Sequence, residues 1–276
     1  MNTQPRTWLI TGCSSGFGRA IAEAALARGD RVVATARRTE TIEDLEGDDV
    51  LVVPLDVTHQ DQVDAAVQAS IDRFGRIDVL VNNAGYGSMG AVEEIDIDDL
   101  RTLMDTMFFG AVALTQAVLP HMREQRGGAI VQISSQGGQL AFAGVGAYCS
   151  AKYALEGLTE ALADEVNRLG IRTLIVEPGA FRTEFGGLSM HRSREIDAYA
   201  ESAGATRAAL DAVAGSQPGD PRKAAAAILT ALDASDPPLR LALGDDAVDN
   251  IRAKHERLRE DLERWEGLSR GTAFAA

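Results

Sequence analysis

Short β-branched runs alternate with longer helical segments along most of this 276-residue chain. Runs such as Val79-Leu80-Val81 are apolar at consecutive positions, which indicates strands that are covered on both faces. Strands of this kind are typical of a parallel sheet with helices on each side. The predicted strands are Thr7–Thr11, Arg31–Ala36, Val50–Leu55, Ile77–Asn82, Ala129–Ser134, Arg172–Glu177 and Leu239–Leu243.

The helical segments fall between these strands, as a doubly wound sheet requires. A charge-dense helix at Ala253–Trp265 follows, and its simplest interpretation is a solvated surface helix. We therefore predict one α/β domain over residues 1–276, with a Rossmann-type parallel sheet of about seven strands and a C-terminal helical extension at 245–276. The other predicted helices are Arg19–Arg28, Gln60–Phe74, Leu100–Arg123, Tyr148–Arg168 and Arg222–Ala234.

Composition argues against several classes of protein. The formal net charge of −14 would repel a phosphate backbone, so we expect no nucleic-acid partner. Cys13 and Cys149 are too few for a disulfide framework, and the four histidines lack ligand-spaced partners, so we expect no metal site. No stretch suggests a leader or approaches a membrane span, which favours a cytoplasmic protein without a membrane partner.

Residues 184–218 break the alternation of strands and helices. The segment is irregular, contains several glycines and carries mixed charge. A loop of this length in a compact domain is typical of a lid or binding element. We expect it to shape a substrate pocket for a small hydrophobic molecule, although its apolar residues are equally consistent with packing. The candidate lining residues are Phe185, Leu188, Met190 and Tyr199.

A glycine-rich turn, Thr11–Gly18, follows the first predicted strand and opens the first helix. Glycines allow a close backbone approach, and a helix N-terminus offers unpaired N–H groups to a pyrophosphate. An ordinary tight turn is the alternative interpretation. The position of the turn at the start of an α/β chain favours a nucleotide site.

The residues after the second predicted strand indicate which nicotinamide cofactor is preferred. A carboxylate there would bind the ribose 2′-hydroxyl of NAD, but this chain has Arg37 and Arg38. Guanidinium groups can grip a 2′-phosphate in bidentate fashion. We predict NADP(H) rather than NAD(H), the alternative being that one or both arginines are solvated surface cations.

Three residues form a candidate catalytic set. Tyr148 and Lys152 stand four positions apart on a predicted helix, so both project from one face. A nearby ammonium would stabilise the phenolate and lower the pKa of Tyr148, which suits it to general acid or base chemistry. Ser135 lies at the end of a strand, where its hydroxyl could hold a substrate oxygen.

Taken in order, these motifs resemble the single-domain short-chain dehydrogenase/reductase family over residues 7–245. The turn at Thr11–Gly18, Asn82-Asn83-Ala84-Gly85, Ser135, Tyr148-x-x-x-Lys152 and Pro178-Gly179 with Thr183 carry the resemblance. It implies an NADP(H)-dependent oxidoreductase of carbonyl or alcohol substrates, with Tyr148 as proton donor or acceptor. It also implies a homodimer or homotetramer. The implied cofactor-binding residues are Gly12, Ser14, Ser15, Gly16, Phe17, Gly18, Arg37, Arg38, Asp56, Val57, Asn83, Ala84, Gly85, Tyr148, Lys152, Pro178, Gly179, Phe181 and Thr183.

One position departs from the family pattern. Met107 stands where the family commonly has an asparagine that helps hold a proton-relaying water, and a thioether cannot replace those hydrogen bonds. Met107 is either core filler or the sign of a weakened relay. The alternative function is therefore a catalytically weak cofactor-binding sensor or scaffold. Sugar-nucleotide epimerase chemistry is disfavoured by the G-x-x-x-G-x-G spacing.

Overall fold

Seven parallel strands form the central sheet of the computed structural model, which describes residues 5–184 and 190–274. Along the sheet the strands run in the order β3-β2-β1-β4-β6-β7-β9, so the direction of winding reverses between β1 and β4. The strands of this sheet are β1 (Thr7–Ile10), β2 (Arg31–Ala36), β3 (Val50–Pro54), β4 (Val79–Asn82), β6 (Gly128–Ile133), β7 (Ile171–Pro178) and β9 (Arg240–Leu243). The predicted α/β fold class is thereby confirmed.

Helices cover both faces of the sheet because its strands are apolar on both sides. In β4, Val79 and Val81 join one buried cluster and Leu80 joins the other. A polar residue at any of these positions would face one of the two cores. The helices are α1 (Gly16–Ala27), α2 (Gln60–Phe74), α3 (Ile97–Met104), α4 (Gly110–Gln125), α5 (Gly146–Val166), α6 (Ala205–Ala212), α7 (Pro221–Asp233) and α8 (Asp245–Arg270).

The register of the parallel pairs aligns the carboxyl ends of the central strands. Ile10 of β1 is paired with Val81 of β4, and Asn82 is paired with Gln132 of β6. Ile133 is in turn paired with Val176 of β7. The loops that leave these strands therefore start from one edge of the sheet, at the point where open α/β sheets bind ligands.

Two expectations about local structure are corrected, and one short strand was not predicted. The predicted helix Leu100–Arg123 is two helices, α3 and α4, joined by a π-helical turn at Asp105–Phe109. Residues 184–218 are not irregular throughout, because they contain α6 and the short strand β8 (Met190–Arg192). That strand pairs with β5 (Gly87–Met89), which periodicity did not predict because three residues carry too little pattern.

Among the residues that the structure describes, one segment could span a membrane by length and composition, Ile97–Gln125. The sequence prediction that no stretch approaches a span is wrong in this respect. Leu114, Val118 and Met122 of this segment are fully buried against the sheet. Burial covers 39% of the most apolar window of this segment, so it accounts for part of the apolar composition.

Asp30 forms a buried polar contact between β1 and α1. Its carboxylate accepts hydrogen bonds from Trp8 Nε1 and the Arg6 amide, each at 2.9 Å, and pairs with Arg28 at 3.1 Å. Asp233 pairs with the same two arginines, but its side chain is 53% exposed against 7% for Asp30. Asp30 and Asp233 therefore have the same two arginine partners and differ in burial.

We predict that Asp30→Ala lowers the free energy of unfolding by about 3 kcal/mol, because it leaves the Trp8 indole N–H and a cation without their buried partner. Asp233→Ala should cost less than about 1 kcal/mol, since exposed ion pairs contribute little. Urea unfolding followed by tryptophan fluorescence measures both. Equal losses in the two variants would contradict the assignment of Asp30 as a buried anchor.

Candidate active site

A cleft of about 700 Å³ opens at the carboxyl edge of the sheet. Its walls come from the loops after β1, β2, β3 and β4, together with the start of β8. A cleft of this volume is large enough for a cofactor. The predicted cofactor residues that line it are Gly12, Ser14, Ser15, Gly16, Phe17, Arg37, Asp56, Val57, Asn83, Ala84, Gly85 and Thr183.

The glycine turn is held in a shape that requires its glycines. Gly12 has φ +70° and Gly16 has φ +59°, in the left-handed region. A Cβ atom at Gly18 would lie 2.3 Å from the Gly12 carbonyl oxygen, so no larger residue fits there. Gly18 is buried, and its lack of a side chain allows the start of α1 to approach the Gly12 backbone closely.

Thr11 and Asn83 fix the turn against the end of β4. The Thr11 hydroxyl accepts hydrogen bonds from the amides of Asn83 and Ala84 at 2.8 and 2.9 Å. In return, Asn83 Nδ2 donates to the carbonyl oxygens of Thr11 and Gly12 at 2.8 and 3.1 Å. Asn83 was predicted to line the cofactor cleft, and it also ties the two loops together.

The start of α1 has the features of an anion site. Ser15 is the N-cap residue, and within the described part of the chain its hydroxyl makes no capping hydrogen bond. The first N–H groups of a helix have no partner within the helix, and the helix dipole favours negative charge at this end. The glycine cradle, this helix terminus and the open cleft together fit the pyrophosphate of a dinucleotide.

The two arginines after β2 differ in position. Arg37 is exposed and lines the cleft. Arg38 is also exposed, but the cleft walls formed by the described residues do not include it. Asp56 lies near Arg37; burial opposes its ionisation, but hydrogen bonds from Thr58 and the nearby side chains of His59 and Arg37 hold its pKa below the usual range. A carboxylate is therefore ionised beside the arginine that faces the cleft.

Ser135 and Tyr148 converge where β6 ends and α5 begins. The Ser135 hydroxyl accepts a hydrogen bond from the Gly137 amide at 3.0 Å and lies 3.5 Å from the Pro178 carbonyl oxygen. It is also hydrogen-bonded to the side chain of Tyr148. The two hydroxyl groups that the sequence singled out therefore meet in the structure.

Lys152 lies one helical turn after Tyr148 and is buried, with 5% of its surface exposed. Its Nζ donates to the Ile133 carbonyl oxygen at 2.7 Å and lies 5.7 Å from the centre of the Tyr148 ring. Burial lowers the pKa of Lys152 to about 7, and the carboxylate of Glu156 opposes part of this shift. The ammonium is therefore held by backbone at the end of β6, next to the phenol.

The prediction of a lowered pKa for Tyr148 is wrong for the chain by itself, because the net shift is upward. Burial raises the pKa of Tyr148, and its hydrogen bond with Ser135 offsets only part of the rise. The physical reason is that Lys152 is buried and Tyr148 is partly buried, which disfavours the phenolate and the ammonium alike. Proximity on one helix face was predicted correctly, but the direction of the shift follows from burial.

Two buried carboxyl groups lie behind Lys152, and sequence analysis missed them. Glu156 is 3% exposed and Glu177 is 1% exposed, and they share Arg240, whose Nε lies 3.1 and 3.2 Å from their oxygens. Burial and the neighbouring Glu156 raise the pKa of Glu177 to about 7. Glu156 could have been found from its spacing, since it stands four residues after Lys152 on the same helix.

The loop after β7 contributes packing to the site. The ring of Phe181 packs against the ring of Phe17 at an angle of 58°, with ring centres 5.1 Å apart, which joins this loop to the glycine turn. Pro178, Gly179 and Phe181 lie outside the lining of the cleft formed by the described residues, whereas Thr183 is part of it. Asp246 of α8 accepts a hydrogen bond from the Ala180 amide at 2.8 Å, a contact that no local pattern predicts.

The other candidate substrate residues fall in different places. Met190 lines the cleft, while Tyr199 lies in a separate surface depression and hydrogen-bonds Glu93. Phe185 and Leu188 lie outside the described residues. His191, whose Nε2 lies 3.0 Å from Asp99, also lines the cleft and was not predicted.

Met107 is buried in the π-helical turn, with 2% of its surface exposed. It lines a small cavity of about 10 Å³ together with Lys152, Asn82 and Thr106. A cavity of this size is close to the minimum that holds one water molecule. Met107 thus borders the space next to Lys152, and its thioether side chain adds no hydrogen-bonding oxygen or nitrogen to it.

Comparison with known proteins identifies the family. Residues 6–192 match the family model for short chain dehydrogenases. The chain is 42% identical over 272 residues to the oxidoreductase BOA17 of Botryotinia fuckeliana, covering 97% of this chain and 99% of that protein. It is 53% identical to a solved short-chain dehydrogenase from Streptomyces avermitilis, with a TM-score of 0.94 and coverage of 98% and 100%.

Two further solved structures differ in their bound cofactor. A short-chain dehydrogenase from Burkholderia cenocepacia in complex with NADP is 25% identical, with a TM-score of 0.76 and coverage of 96% and 98%. One from Burkholderia phymatum in complex with NAD is 23% identical, with a TM-score of 0.81 and coverage of 95% and 96%, and shows the fold alone. On the family model and the full-length relatives, this chain belongs to the short-chain dehydrogenase/reductase family of oxidoreductases.

Proposed function

We propose that this chain is an NADP(H)-dependent oxidoreductase that interconverts a carbonyl and an alcohol on a small, hydrophobic substrate. The observation that carries the proposal is the convergence of Ser135, Tyr148 and Lys152 beside the cleft that fits a dinucleotide. In the direction of reduction, Tyr148 donates its phenolic proton to the substrate oxygen. The Ser135 hydroxyl donates a hydrogen bond to the same oxygen and orients it.

Tyr148 holds its proton at neutral pH, and burial raises its pKa further. The same burial makes the proton harder to release, so transfer to the substrate depends on a group that stabilises the phenolate. Protonated Lys152 then stabilises the phenolate that proton transfer leaves behind. A bound nicotinamide supplies or accepts the hydride at the substrate carbon.

The preference for NADP(H) rests on Arg37. This guanidinium faces the cleft at the end of β2, where an acidic residue would select NAD. A 2′-phosphate offers it a charge-assisted partner that a 2′-hydroxyl does not. Solved neighbours of this fold contain either cofactor, so the choice depends on residues such as this one. We also propose that the protein acts in the cytoplasm.

The first prediction separates an enzyme from a cofactor-binding scaffold. Tyr148→Phe removes only the proton donor and keeps the aromatic ring, so turnover should fall by about 100- to 10,000-fold. Absorbance of NADPH during reduction of a panel of aldehydes and ketones measures it. NADPH binding, followed by nicotinamide fluorescence, should persist in the variant. If the wild type reduces a carbonyl and the Tyr148→Phe variant does so at the same rate, Tyr148 is not the proton donor.

The second prediction concerns cofactor choice. Arg37→Ala should raise the KM for NADPH by about 10- to 100-fold, the loss of a hydrogen bond to a charged group, and leave the KM for NADH nearly unchanged. Arg38→Ala is the matched comparison and should have the smaller effect, because it lies outside the cleft lining. Equal use of NADH and NADPH, unaffected by Arg37→Ala, would refute the proposed preference.

The third prediction concerns pH. Lys152 is protonated below its pKa of about 7 and neutral above it, so kcat/KM for carbonyl reduction should fall as the pH rises through this value. The carboxylate of Glu156 raises the pKa of Lys152, so Glu156→Gln should move the fall to lower pH. A pH profile of kcat/KM checks both.

Two controls isolate Lys152 in that profile. Glu160→Gln changes a 57% exposed carboxylate that also pairs with Arg240, and the profile should not move. Glu177 titrates in the same range, with a pKa of about 7, so Glu177→Gln removes the other group that could cause the inflection. An inflection near pH 7 that disappears in Glu177→Gln would assign it to the carboxyl pair instead of Lys152.

A further inference from the structure

The second half of α8 extends away from the body of the protein, and His255 at its start lies 2.5 Å from Gln139 Oε1 through its Nε2. Every residue from His255 to Arg270 is exposed, whereas Ala247 and Ile251 at the start of the helix are buried. At 1.5 Å per residue, this exposed part extends for about 24 Å. A helix of this length gains little stability in water by itself, because most helical stability comes from packing of one face.

An apolar stripe runs along this exposed part. Leu258, Leu262 and Trp265 are 51%, 68% and 54% exposed, and their spacings of four and three residues place them on one face. The same spacing leads back through His255 to Ile251. The stripe therefore continues the side of the helix that packs on the body and extends it past the edge of the molecule.

Charge along the same part of the helix is divided into two halves. Residues 252–259 carry Arg252, Lys254, Arg257 and Arg259 against the single carboxylate of Glu256. Residues 260–266 have the opposite balance, with Arg264 as the one cation among the carboxylates Glu260, Asp261, Glu263 and Glu266. Two such helices attract when they lie antiparallel and repel when they lie parallel.

We propose that α8 pairs antiparallel with α8 of a second copy of this chain, as a short two-stranded coiled coil centred near Glu260. This pairing is isologous, so each cationic half faces an acidic half and the contact closes on two subunits. Leu258 packs against Leu262 of the second copy, and Arg252 lies beside Glu266 of the second copy. The proposal does not depend on the catalytic activity.

A groove at the base of α8 extends this interface into the body. It has a volume of about 460 Å³, with an apolar part formed by Ala242 of the edge strand β9 and by Val248 and Ile251 of the helix. The rest of its lining is polar and comes from the helix residues Arg252, His255, Glu256 and Arg259. When Leu258 faces Leu262 of the second copy, the same register brings Trp265 of the second copy to His255. The indole ring then enters the groove, where an apolar wall and the imidazole cover it.

Cysteine cross-linking tests the geometry. Cys13 and Cys149 are both buried, so added surface cysteines report on α8. Leu258→Cys/Leu262→Cys should form a disulfide-linked dimer under mild oxidation at micromolar protein, seen by non-reducing electrophoresis. Glu260→Cys lies midway between them on the outer side of the helix and is the matched control, in which no linked dimer should form. Equal cross-linking in the control would overturn the proposed face.

Mass in solution provides the second test, with activity and circular dichroism as checks that the body remains folded. Leu262→Glu should halve the mass measured by sedimentation velocity, and Trp265→Ala should weaken association. Arg252→Glu and Glu266→Arg should each weaken association, and the two changes in one chain should restore it. An unchanged mass in Leu262→Glu, or a combined charge swap that is no better than the single changes, would refute the antiparallel pair.

Discussion

The parallel pairing of β1, β4, β6 and β7 is the constraint on which the rest of the structure depends. Parallel strands in register end at the same edge, so the loops after Ile10, Asn82, Ile133 and Pro178 start side by side. Those loops carry the glycine turn, Asn83, Ser135 and the segment that reaches Thr183. Without this register, the residues that line the cleft and the residues that move a proton would not meet.

Burial decides the charges at the catalytic end of this edge. Lys152 lies beneath the end of β6 with its Nζ on the Ile133 carbonyl oxygen, and removal from water lowers its pKa. The pKa of Tyr148 is raised instead of lowered, and this shift likewise favours the neutral form, the phenol. Glu156 restores part of the tendency of Lys152 to carry a proton, and Arg240 compensates the carboxylates in turn. The site is a balance between desolvation and a few nearby charges, so its electrostatics extend beyond the three residues of the motif.

The C-terminal helix contributes in two ways. At its start, Asp246 holds the Ala180 amide, and Asn250 Nδ2 donates to Gln136 Oε1 at 2.8 Å in the turn that follows Ser135. These contacts connect α8 to the two loops on either side of the catalytic serine. Farther along, the same helix leaves the body and presents a stripe of leucine and tryptophan to solvent. One element thus supports the site within a subunit and offers a surface to another.

The sequence by itself determined where the seven strands of the central sheet lie along the chain and where the glycine turn lies, because each is encoded in contiguous residues. The spacing of Tyr148 and Lys152 placed both on one helix face, and Ser135 was identified from its position at a strand end and from the family resemblance. The sequence also showed that Arg37 and Arg38 follow β2 where a carboxylate would favour NAD. Only the structure placed Arg37 in the cleft lining and Arg38 outside it. Tertiary structure alone decided the direction of the Tyr148 shift, the meeting of Glu156 with Glu177 and Arg240, and the clamp at Asp246. These depend on burial and on contacts between residues far apart in the chain, and local spacing carries no information about which distant groups share a dry environment.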